Sequence, residues 1–378
     1  MQKYYDYIII GGGLAGLQLA LHIGRDRFFE QRSLAIIEPS EKNFNDKTWC
    51  FWEKGKSEWD GIIIKSWKQG YFISSEKNID LSLSPYSYKM LRSIDFYDYV
   101  KSQLEDSPNI KFIKDKISDI DKAATMAYGE SHSYNALHIF DSRVTANYAE
   151  APNTTTLFQH FKGWMVETET PQFDPAAFTM MDFKVKYKNS TSFTYVLPIT
   201  EKKALIEFTF FTPYLTREET YDEHLEKYLR EVLNINDYSI SETEKGVIPM
   251  TDYPFHKEST AKITKIGTGG SWVKGSTGYS FKSCETKVIK LIQNIKEGKD
   301  PAENLINERS RIYDSIFLDV LSRNNELGEQ IFTKFYSRNS PQEIFRYLDE
   351  ESDLKEELKI MFSLFHPQFI YSFFRKIT

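Results

Sequence analysis

The chain has 378 residues, with 48 basic and 54 acidic side chains and a formal net charge of -6. This balance argues against nucleic-acid binding, and the two cysteines, Cys50 and Cys284, exclude a disulfide framework or a Cys-x-x-Cys site. The length predicts about two domains, and no apolar run reaches the roughly 18 residues that a membrane-spanning helix needs. We expect no signal peptide and a reducing, cytoplasmic compartment.

The N-terminus predicts a βαβ unit. The apolar run Tyr7 to Ile10 predicts a strand, leucines at helical spacing from Leu14 onward predict a helix, and Leu34 to Glu38 predicts a second strand that ends at Pro39.

The turn between the first strand and the helix carries the dinucleotide-binding pattern G-x-G-x-x-G. Gly11 allows the tight turn, Gly13 lets the backbone approach a diphosphate, and Gly16 lets helix and strand pack closely. Free N–H groups at the start of the helix favour the phosphates. At the end of the second strand an acid is placed to bond a ribose hydroxyl, which favours FAD or NAD over NADP. The predicted cofactor contacts in this unit are Gly11, Gly13, Leu14, Ala15, Gly16 and Glu38.

Residues 43–70 have no clean period, and we expect loops with short strands there. A helix follows, with Ser93 as its predicted N-cap. Arg92, directly before it, either contacts the phosphate of the cofactor or forms a surface ion pair. Further strands are predicted near residues 110–117 and 136–141.

Between about residues 160 and 212, three apolar segments separated by short polar turns predict antiparallel strands. A helix, two more strands and, from about Ser276, a helical region follow. The predicted fold is α/β: a Rossmann-type FAD-binding domain of flavin hydroxylase-like, two-domain architecture with an inserted antiparallel sheet. The predicted parts are residues 1–70 (FAD-binding βαβ), 71–155 (mixed, returning to that domain), 156–250 (β-rich, covering the substrate), 251–300 (return to the FAD domain) and 301–378 (helical).

FAD is favoured over NAD because the fingerprint opens the chain and antiparallel strands are inserted behind it. A predicted strand ending at Ile266 leads into a second glycine-rich loop, placed to reach the other end of an extended cofactor; the alternative is an ordinary strand–loop–helix connection. Its predicted contacts are Gly267, Thr268, Gly269, Gly270 and Gly278. Many flavin hydroxylases carry Gly-Asp where this chain has Thr268, which argues against simple membership in that group. The sequence also lacks a second fingerprint for NAD(P)H.

The segment "KKALIEFTFF" holds one carboxylate, Glu207, among apolar residues. Strand alternation puts Leu205, Glu207 and Thr209 on one face, opposite the uniformly apolar Ile206 and Phe208. The pattern alone favours a solvent-facing Glu207 but leaves a buried acid open.

Five segments, "DYIIIGGGLAG", "NDKTWCFWE", "YKMLRS.DF", "PMTD" and "IGTGG...GSTGYSF", resemble the flavin-dependent lycopene β-cyclases of carotenoid synthesis. They lie between residues 6 and 281. The resemblance implies cyclisation of the acyclic ends of lycopene to β-ionone rings, an isomerisation that needs reduced FAD, with NAD(P)H as external reductant. It also implies that Glu207, in "LIEFT", is the catalytic acid. Phe208 stands where plant members have a second acid, which puts a paired-carboxylate mechanism in doubt.

Three other acids compete with Glu207. Glu53 either lines the cavity or accepts structural hydrogen bonds, Asp252 lies either near the cofactor or in a turn, and Asp141 ends a strand. The rival functions are a flavin-dependent monooxygenase or dehydrogenase of an apolar substrate, and a non-catalytic flavin- or carotenoid-binding protein. We expect peripheral membrane contact, since lycopene resides in membranes. The aromatic stretch "MFSLFHPQFIYSFFRK" either enters a bilayer interface or docks as a helix on the core.

Overall fold

The computed structural model describes residues 2–377, which form 17 strands and nine α-helices. The strands are β1 (Gln2–Ile10), β2 (Leu34–Glu38), β3 (Thr48–Lys54), β4 (Lys65–Trp67), β5 (Gln69–Ile73), β6 (Asn78–Ser82), β7 (Tyr86–Arg92), β8 (Ile110–Lys114), β9 (Ile117–Asp121), β10 (Met126–Gly129), β11 (Ser133–Asp141), β12 (Thr156–Glu167), β13 (Ala177–Asp182), β14 (Ser192–Thr200), β15 (Lys203–Thr212), β16 (Ser239–Thr251) and β17 (Ile263–Lys265). The helices are α1 (Leu14–Arg25), α2 (Ser93–Leu104), α3 (Glu218–Glu231), α4 (Phe281–Lys296), α5 (Glu308–Arg323), α6 (Gly328–Arg338), α7 (Pro341–Leu348), α8 (Leu354–Ser363) and α9 (Pro367–Ile377). None of the helices in the described range has the length and apolarity needed to cross a bilayer.

A seven-stranded sheet built around β1 forms the first half of the molecule. Its order is β8-β2-β1-β11-β10-β9, with β17 also paired to β11. Strands β8, β2, β1, β11 and β17 run parallel to one another. Strands β10 and β9 add an antiparallel edge. Helix α1 packs against α2 and α4, and the three helices share one hydrophobic core with the sheet. The predicted N-terminal βαβ unit is therefore confirmed, and the α/β class with it.

A second seven-stranded sheet has the order β16-β12-β15-β14-β13-β5-β6 and is antiparallel apart from the parallel pair β13–β5. One face packs against α3, where Phe208 and Phe210 meet Leu225 and Tyr228. The other face shares a core with the small sheet β3-β7-β4 and with α6, α7 and α8. The antiparallel strands predicted between residues 160 and 212 are confirmed, and their second face is turned toward the rest of the protein.

Strands β5 and β6 differ from the predicted division of the chain. Residues 69–70 are predicted in the FAD-binding βαβ part and residues 71–82 in the mixed part that returns to that domain, yet these two strands extend the second sheet beyond β13. The pairing of β5 with β13 joins segments about a hundred residues apart, and no local pattern encodes it. The hairpin β9–β10 was not predicted either. Strand β16 begins before the predicted apolar run, and its start was not predicted because residues 239–243 are exposed and give no apolar pattern.

Ser93 does not cap α2, contrary to prediction. It is the first helical residue, and the residue before it makes no side-chain cap bond. Its hydroxyl accepts hydrogen bonds from the N–H groups of Asp46 (3.0 Å) and Lys47 (3.1 Å) and donates one to Asp46 Oδ1 (2.8 Å). Ser93 therefore anchors the loop that leads into β3, a long-range role that competes with local capping.

The C-terminal aromatic stretch forms the end of α8 and all of α9. Helix α9 docks on α5, where the Ser372 hydroxyl donates to Asp319 Oδ2 at 2.7 Å, so the stretch forms a docked helix, and its contact with a bilayer stays a prediction. The docked segment still exposes a set of large apolar side chains, here named the C-terminal aromatic patch: Phe362, Phe365, Ile370, Tyr371, Phe373 and Phe374.

Candidate active site

The three fingerprint glycines have three separate structural roles. Gly11 has φ +103°, and an ideal Cβ there would lie 2.0 Å from Ser142 Oγ, so only glycine fits. A Cβ on Gly16 would lie 2.0 Å from the carbonyl oxygen of Gly11, which enforces close packing of helix on strand. A Cβ on Gly13 would meet nothing within 4 Å. The open side of Gly13 is therefore where a ligand can approach the backbone.

Helix α1 starts directly behind this loop. Its N-cap is Gly13, which has no side chain to cap the helix, and the first turn contains no acid. The first N–H groups of a helix lack intrahelical partners and carry the positive end of its dipole. Leu14 and Ala15 are buried and contribute backbone rather than side chains. This end of α1 has the chemistry of a phosphate site.

Glu38 lies beside the same loop. One carboxylate oxygen accepts from the N–H of Gly12 at 2.7 Å and the other from the N–H of Ser40 at 3.0 Å. These two bonds fix the carboxylate, and each oxygen keeps a lone pair for a further donor such as a hydroxyl.

The second predicted glycine loop packs directly on the first. Gly267 has φ +59°, and a Cβ there would lie 3.1 Å from Ala15 Cβ at the start of α1. Gly269 and Gly270 each lie so close to backbone carbonyl groups that an added Cβ would clash at 2.3 Å. Thr268, between Gly267 and Gly269, is half-buried. The structure thus brings both predicted loops to one place.

Two other predicted contacts lie toward the second sheet. Gly278 has φ +75°, and a Cβ there would lie 3.1 Å from Gln159 Oε1 of β12 and 3.4 Å from Ile248 Cδ1 of β16.

Arg92 donates to both oxygens of Asp95, at 2.8 and 3.0 Å, and lies 3.7 Å from Glu242. Its guanidinium is held in ion pairs, and its contact with a cofactor phosphate stays a prediction.

Glu207 is buried, with 8% of its surface exposed, so the solvent-facing alternative is wrong. Every residue of β15 after Lys203 is buried, because one face packs on α3 and the other on the rest of the protein. Glu207 belongs to the second of these faces, with Leu205. Its strand neighbours are Gly163 of β12 and Tyr195 of β14.

Burial is the main reason why the pKa of Glu207 rises from its ordinary 4.5 to about 8. The charge of Glu244 raises it further, and a hydrogen bond of 2.6 Å from the Thr209 hydroxyl opposes the shift. The protonated form therefore predominates at neutral pH, as a carboxylic acid that donates protons requires.

Glu244, on β16, is a candidate that the sequence analysis missed. It pairs with Gly163 on the opposite side from Glu207, and its Oε2 accepts from the Thr48 hydroxyl at 2.6 Å. Its side chain is half-buried, and removal from water is the main cause that raises its pKa to about 7; the Thr48 bond opposes the shift, and Glu242 adds to it. The only sequence signal is the repeated acid in "SETEKG", which does not show where the strand pairs.

A group of aromatic side chains begins at Tyr195, the cross-strand neighbour of Glu207 on β14. The Tyr195 hydroxyl donates to that of Tyr88 at 2.7 Å, and Tyr88 lies 3.2 Å from the hydroxyl of Tyr279. The ring of Trp52 stands edge-on to Tyr279 at 4.5 Å and stacks on Phe345 at 4.4 Å. These rings present electron-rich faces that stabilise a nearby cation. They are named here the aromatic cluster.

Burial and the neighbouring carboxylates both raise the pKa of Cys50, on β3. Burial raises the pKa of its thiol to about 12, and the charges of Glu244 and Glu207 raise it further. The thiol of Cys50 therefore stays protonated and supplies no thiolate near the two carboxylates.

The competing acids all have structural partners. Glu53 accepts from Lys89 at 2.7 Å and from Lys282 at 3.3 Å, so it is a structural acceptor. Asp252 accepts from the Thr155 N–H, the Ser315 hydroxyl and Lys376, each within 2.7 Å.

Asp141, the third competing acid, ends β11 and pairs with Arg143 at 2.9 Å and Lys265 at 3.1 Å. These cations and bonds outweigh its burial and lower its pKa, which keeps it ionised. Unlike these three, Glu207 and Glu244 have no Lys or Arg partner in the described chain.

Solved structures with the same fold include flavin-dependent enzymes. A geranylgeranyl bacteriochlorophyll reductase-like protein from Thermoplasma acidophilum matches with TM-score 0.63 and 10% identity over 100% of both chains. A flavin-dependent brominase matches with TM-score 0.58 and 13% identity over 96% of this chain and 94% of its own. The flavin-dependent monooxygenase PieE, solved with FAD and substrate, matches with TM-score 0.59 and 11% identity over 98% and 72%. These likenesses confirm the predicted two-domain flavoprotein fold.

The family comparison extends over nearly the whole chain. A search of curated proteins finds no significant match. The model of the lycopene cyclase protein family matches residues 6–373, beyond the residues 6–281 that carried the resemblance in sequence. The chain belongs to the lycopene cyclase family.

Proposed function

We propose that the two glycine loops bind FAD. The open side of Gly13, the uncapped start of α1 and the fixed carboxylate of Glu38 match the needs of a diphosphate and a ribose. The second loop, through Gly267 to Gly270, adds backbone beside them for an extended cofactor. When bound and reduced, FAD would supply negative charge that stabilises a nearby carbocation. An NAD(P)H-dependent reductant would supply the electrons from outside.

The activity we propose is lycopene β-cyclisation, an isomerisation. A proton adds to the terminal alkene and leaves a tertiary carbocation, the next double bond attacks it and closes a six-membered ring, and loss of a ring proton leaves the β-type double bond. No electron is gained or lost. The observation that carries the proposal is Glu207, a buried carboxyl whose raised pKa keeps it protonated at neutral pH beside the aromatic cluster.

Each protein group has a defined part in this scheme. Glu207 donates the first proton. Tyr88, Tyr195, Tyr279 and Trp52 contact one another in the aromatic cluster and would stabilise positive charge on a chain end bound beside it. Packing of the second sheet on β3 and β7 excludes water, which would otherwise capture the carbocation as an alcohol.

Expression in a lycopene-accumulating bacterial host tests the activity. We expect the pigment to change from lycopene to a compound of the same mass with one or two β-ionone rings. Unchanged lycopene, in cells where the protein is folded and binds FAD, would contradict the proposal and favour a flavin- or carotenoid-binding protein. An oxygenated or dehydrogenated product would favour the rival monooxygenase or dehydrogenase.

We also propose that the C-terminal aromatic patch contacts the membrane that holds the substrate. Phe362 is 71% exposed, Phe365 57% and Phe374 60%, which is unusual for side chains this apolar. A hydrocarbon substrate has to leave the bilayer to reach Glu207, and insertion of these rings would bring the protein to that source.

Replacing Phe362 and Phe365 together by serine should weaken binding to lipid vesicles at least about tenfold, since each buried Phe side chain contributes about 1.5–3 kcal/mol. Co-sedimentation with phosphatidylglycerol-containing vesicles measures this. The matched control replaces Phe28 and Phe112, which are 49% and 43% exposed on the first sheet's side, by serine and should bind as the parent does. Equal binding by all three proteins would place the membrane contact elsewhere.

A further inference from the structure

Glu207 and Glu244 are separated by one residue position that has no side chain. Both pair with Gly163 of β12, from opposite sides. An ideal Cβ on Gly163 would lie 3.2 Å from Glu244 Cγ and 3.5 Å from Glu207 Cβ. The two side chains therefore leave the same face of the sheet on either side of the glycine, and Leu205 also borders the space above it, with Cδ1 3.1 Å from that Cβ.

The groups around the two carboxylates do not neutralise them. Thr209 donates to Glu207 and Thr48 to Glu244, each at 2.6 Å. Cys50 and Tyr279 face Glu207 and are neutral, since burial raises the pKa of each.

The nearest charged side chains, Glu242 and Arg92, do not neutralise the two carboxylates either. Glu242, on the same strand as Glu244, adds negative charge. Arg92 lies 3.7 Å from Glu242 and is bound to Asp95. Two carboxylates that lack a cation partner in the described chain favour sharing one proton over carrying two charges.

We propose that Glu244 is the base of the reaction, and that it works with Glu207 as a couple that holds one proton; this rests on the proposed cyclase function. Glu207 gives its proton to the terminal alkene carbon, where a C–H bond forms. Ring closure forms one C–C bond, and Glu244 takes the proton from the ring carbon, where a C–H bond breaks. Transfer of that proton from Glu244 to Glu207 restores the starting state, so no oxidant, reductant or net proton is required.

This arrangement predicts a bell-shaped dependence of kcat on pH. Below the lower apparent pKa of the pair, Glu244 is protonated and the base is lost; above the upper one, Glu207 is ionised and the acid is lost. The substitution Glu244→Gln keeps the shape of the side chain and removes the base, so kcat should fall by about 10²-fold or more. With the like charge gone, the pKa of Glu207 falls, and the alkaline limb of the residual activity moves to lower pH.

The assay uses the FAD-loaded, prereduced protein with lycopene in vesicles, without oxygen, from about pH 6 to about pH 9. Glu244→Asp keeps the charge and should recover part of the activity. Glu167→Gln is the matched control: this half-buried acid lies at the far end of β12, pairs with Lys203, and should leave kcat and its pH profile unchanged. Carbon-13 NMR of labelled glutamate reports the titration of Glu207 directly, without turnover.

The outcomes separate the two proposals. A parent protein that does not cyclise lycopene overturns the cyclase function. An active parent together with a folded Glu244→Gln variant of unchanged kcat and unchanged pH profile overturns the role of Glu244 alone. An unmoved Glu207 titration in that variant overturns the shared proton.

Discussion

Replacing Glu207 by glutamine should reduce lycopene cyclisation by about 10³-fold or more, within the range by which a positioned general acid accelerates a reaction. Glutamine fills the same space and still accepts the hydrogen bond from Thr209, but it has no acidic proton for the alkene. Pigment analysis in a lycopene-accumulating host gives the first result, and kcat of the purified, FAD-loaded variant measures the size of the loss.

Stability provides the control for this variant. The pKa of Glu207 is about 8 when folded, above its ordinary 4.5, so between these values the folded chain binds a proton that the unfolded chain releases. The free energy of unfolding of the parent therefore falls, through this group, as pH rises across that window. Glutamine cannot ionise, so Glu207→Gln should become more stable relative to the parent from about pH 5 to about pH 8. A folded variant that keeps FAD and full activity would show that another group donates the proton.

Replacing Gly13 by aspartate should lower the affinity for FAD by at least about 100-fold, equivalent to about 2.7 kcal/mol. A Cβ added at this position meets nothing within 4 Å, so we expect the fold to be unchanged. The added carboxylate would lie at the uncapped start of α1, in the space predicted for the diphosphate, and would repel it. Flavin fluorescence titration of the apoprotein measures the affinity.

Gly61 provides the matched control for Gly13. A Cβ there also meets nothing within 4 Å, its φ lies outside the left-handed region, and it is remote in sequence from both glycine loops. Gly61→Asp should bind FAD as the parent does. Equal affinity for FAD in both variants and the parent would mean that the cofactor does not cross Gly13.

The residues proposed to bind the cofactor were easier to predict from the sequence than the acid–base residues. Gly11, Gly13 and Gly16 act through turn geometry and close packing, which are local and leave a fixed spacing in the sequence. Glu38 follows from the same unit, because it ends the neighbouring parallel strand. The contact between Gly267 and Ala15 was harder to predict, because it depends on the pairing of β17 with β11. The sequence suggests this pairing only through the order of the elements.

The acid–base side needed the structure. Both faces of β15 are buried, so alternation could not tell which face Glu207 shares with the core. Glu244 was missed because its position depends on the register of β16 against β12, and a shift of one residue would turn it to the other face. Gly163 looks like an ordinary strand residue until its two neighbours are known.

An anaerobic incubation of purified protein, FAD, NADPH and lycopene tests the central claim most directly. We expect a cyclic product with the mass of lycopene, flavin that stays reduced once NADPH has reduced it, and no consumption of NADPH beyond that initial reduction. NADPH oxidation or flavin oxidation in proportion to product would contradict the non-redox cyclisation proposed for this chain.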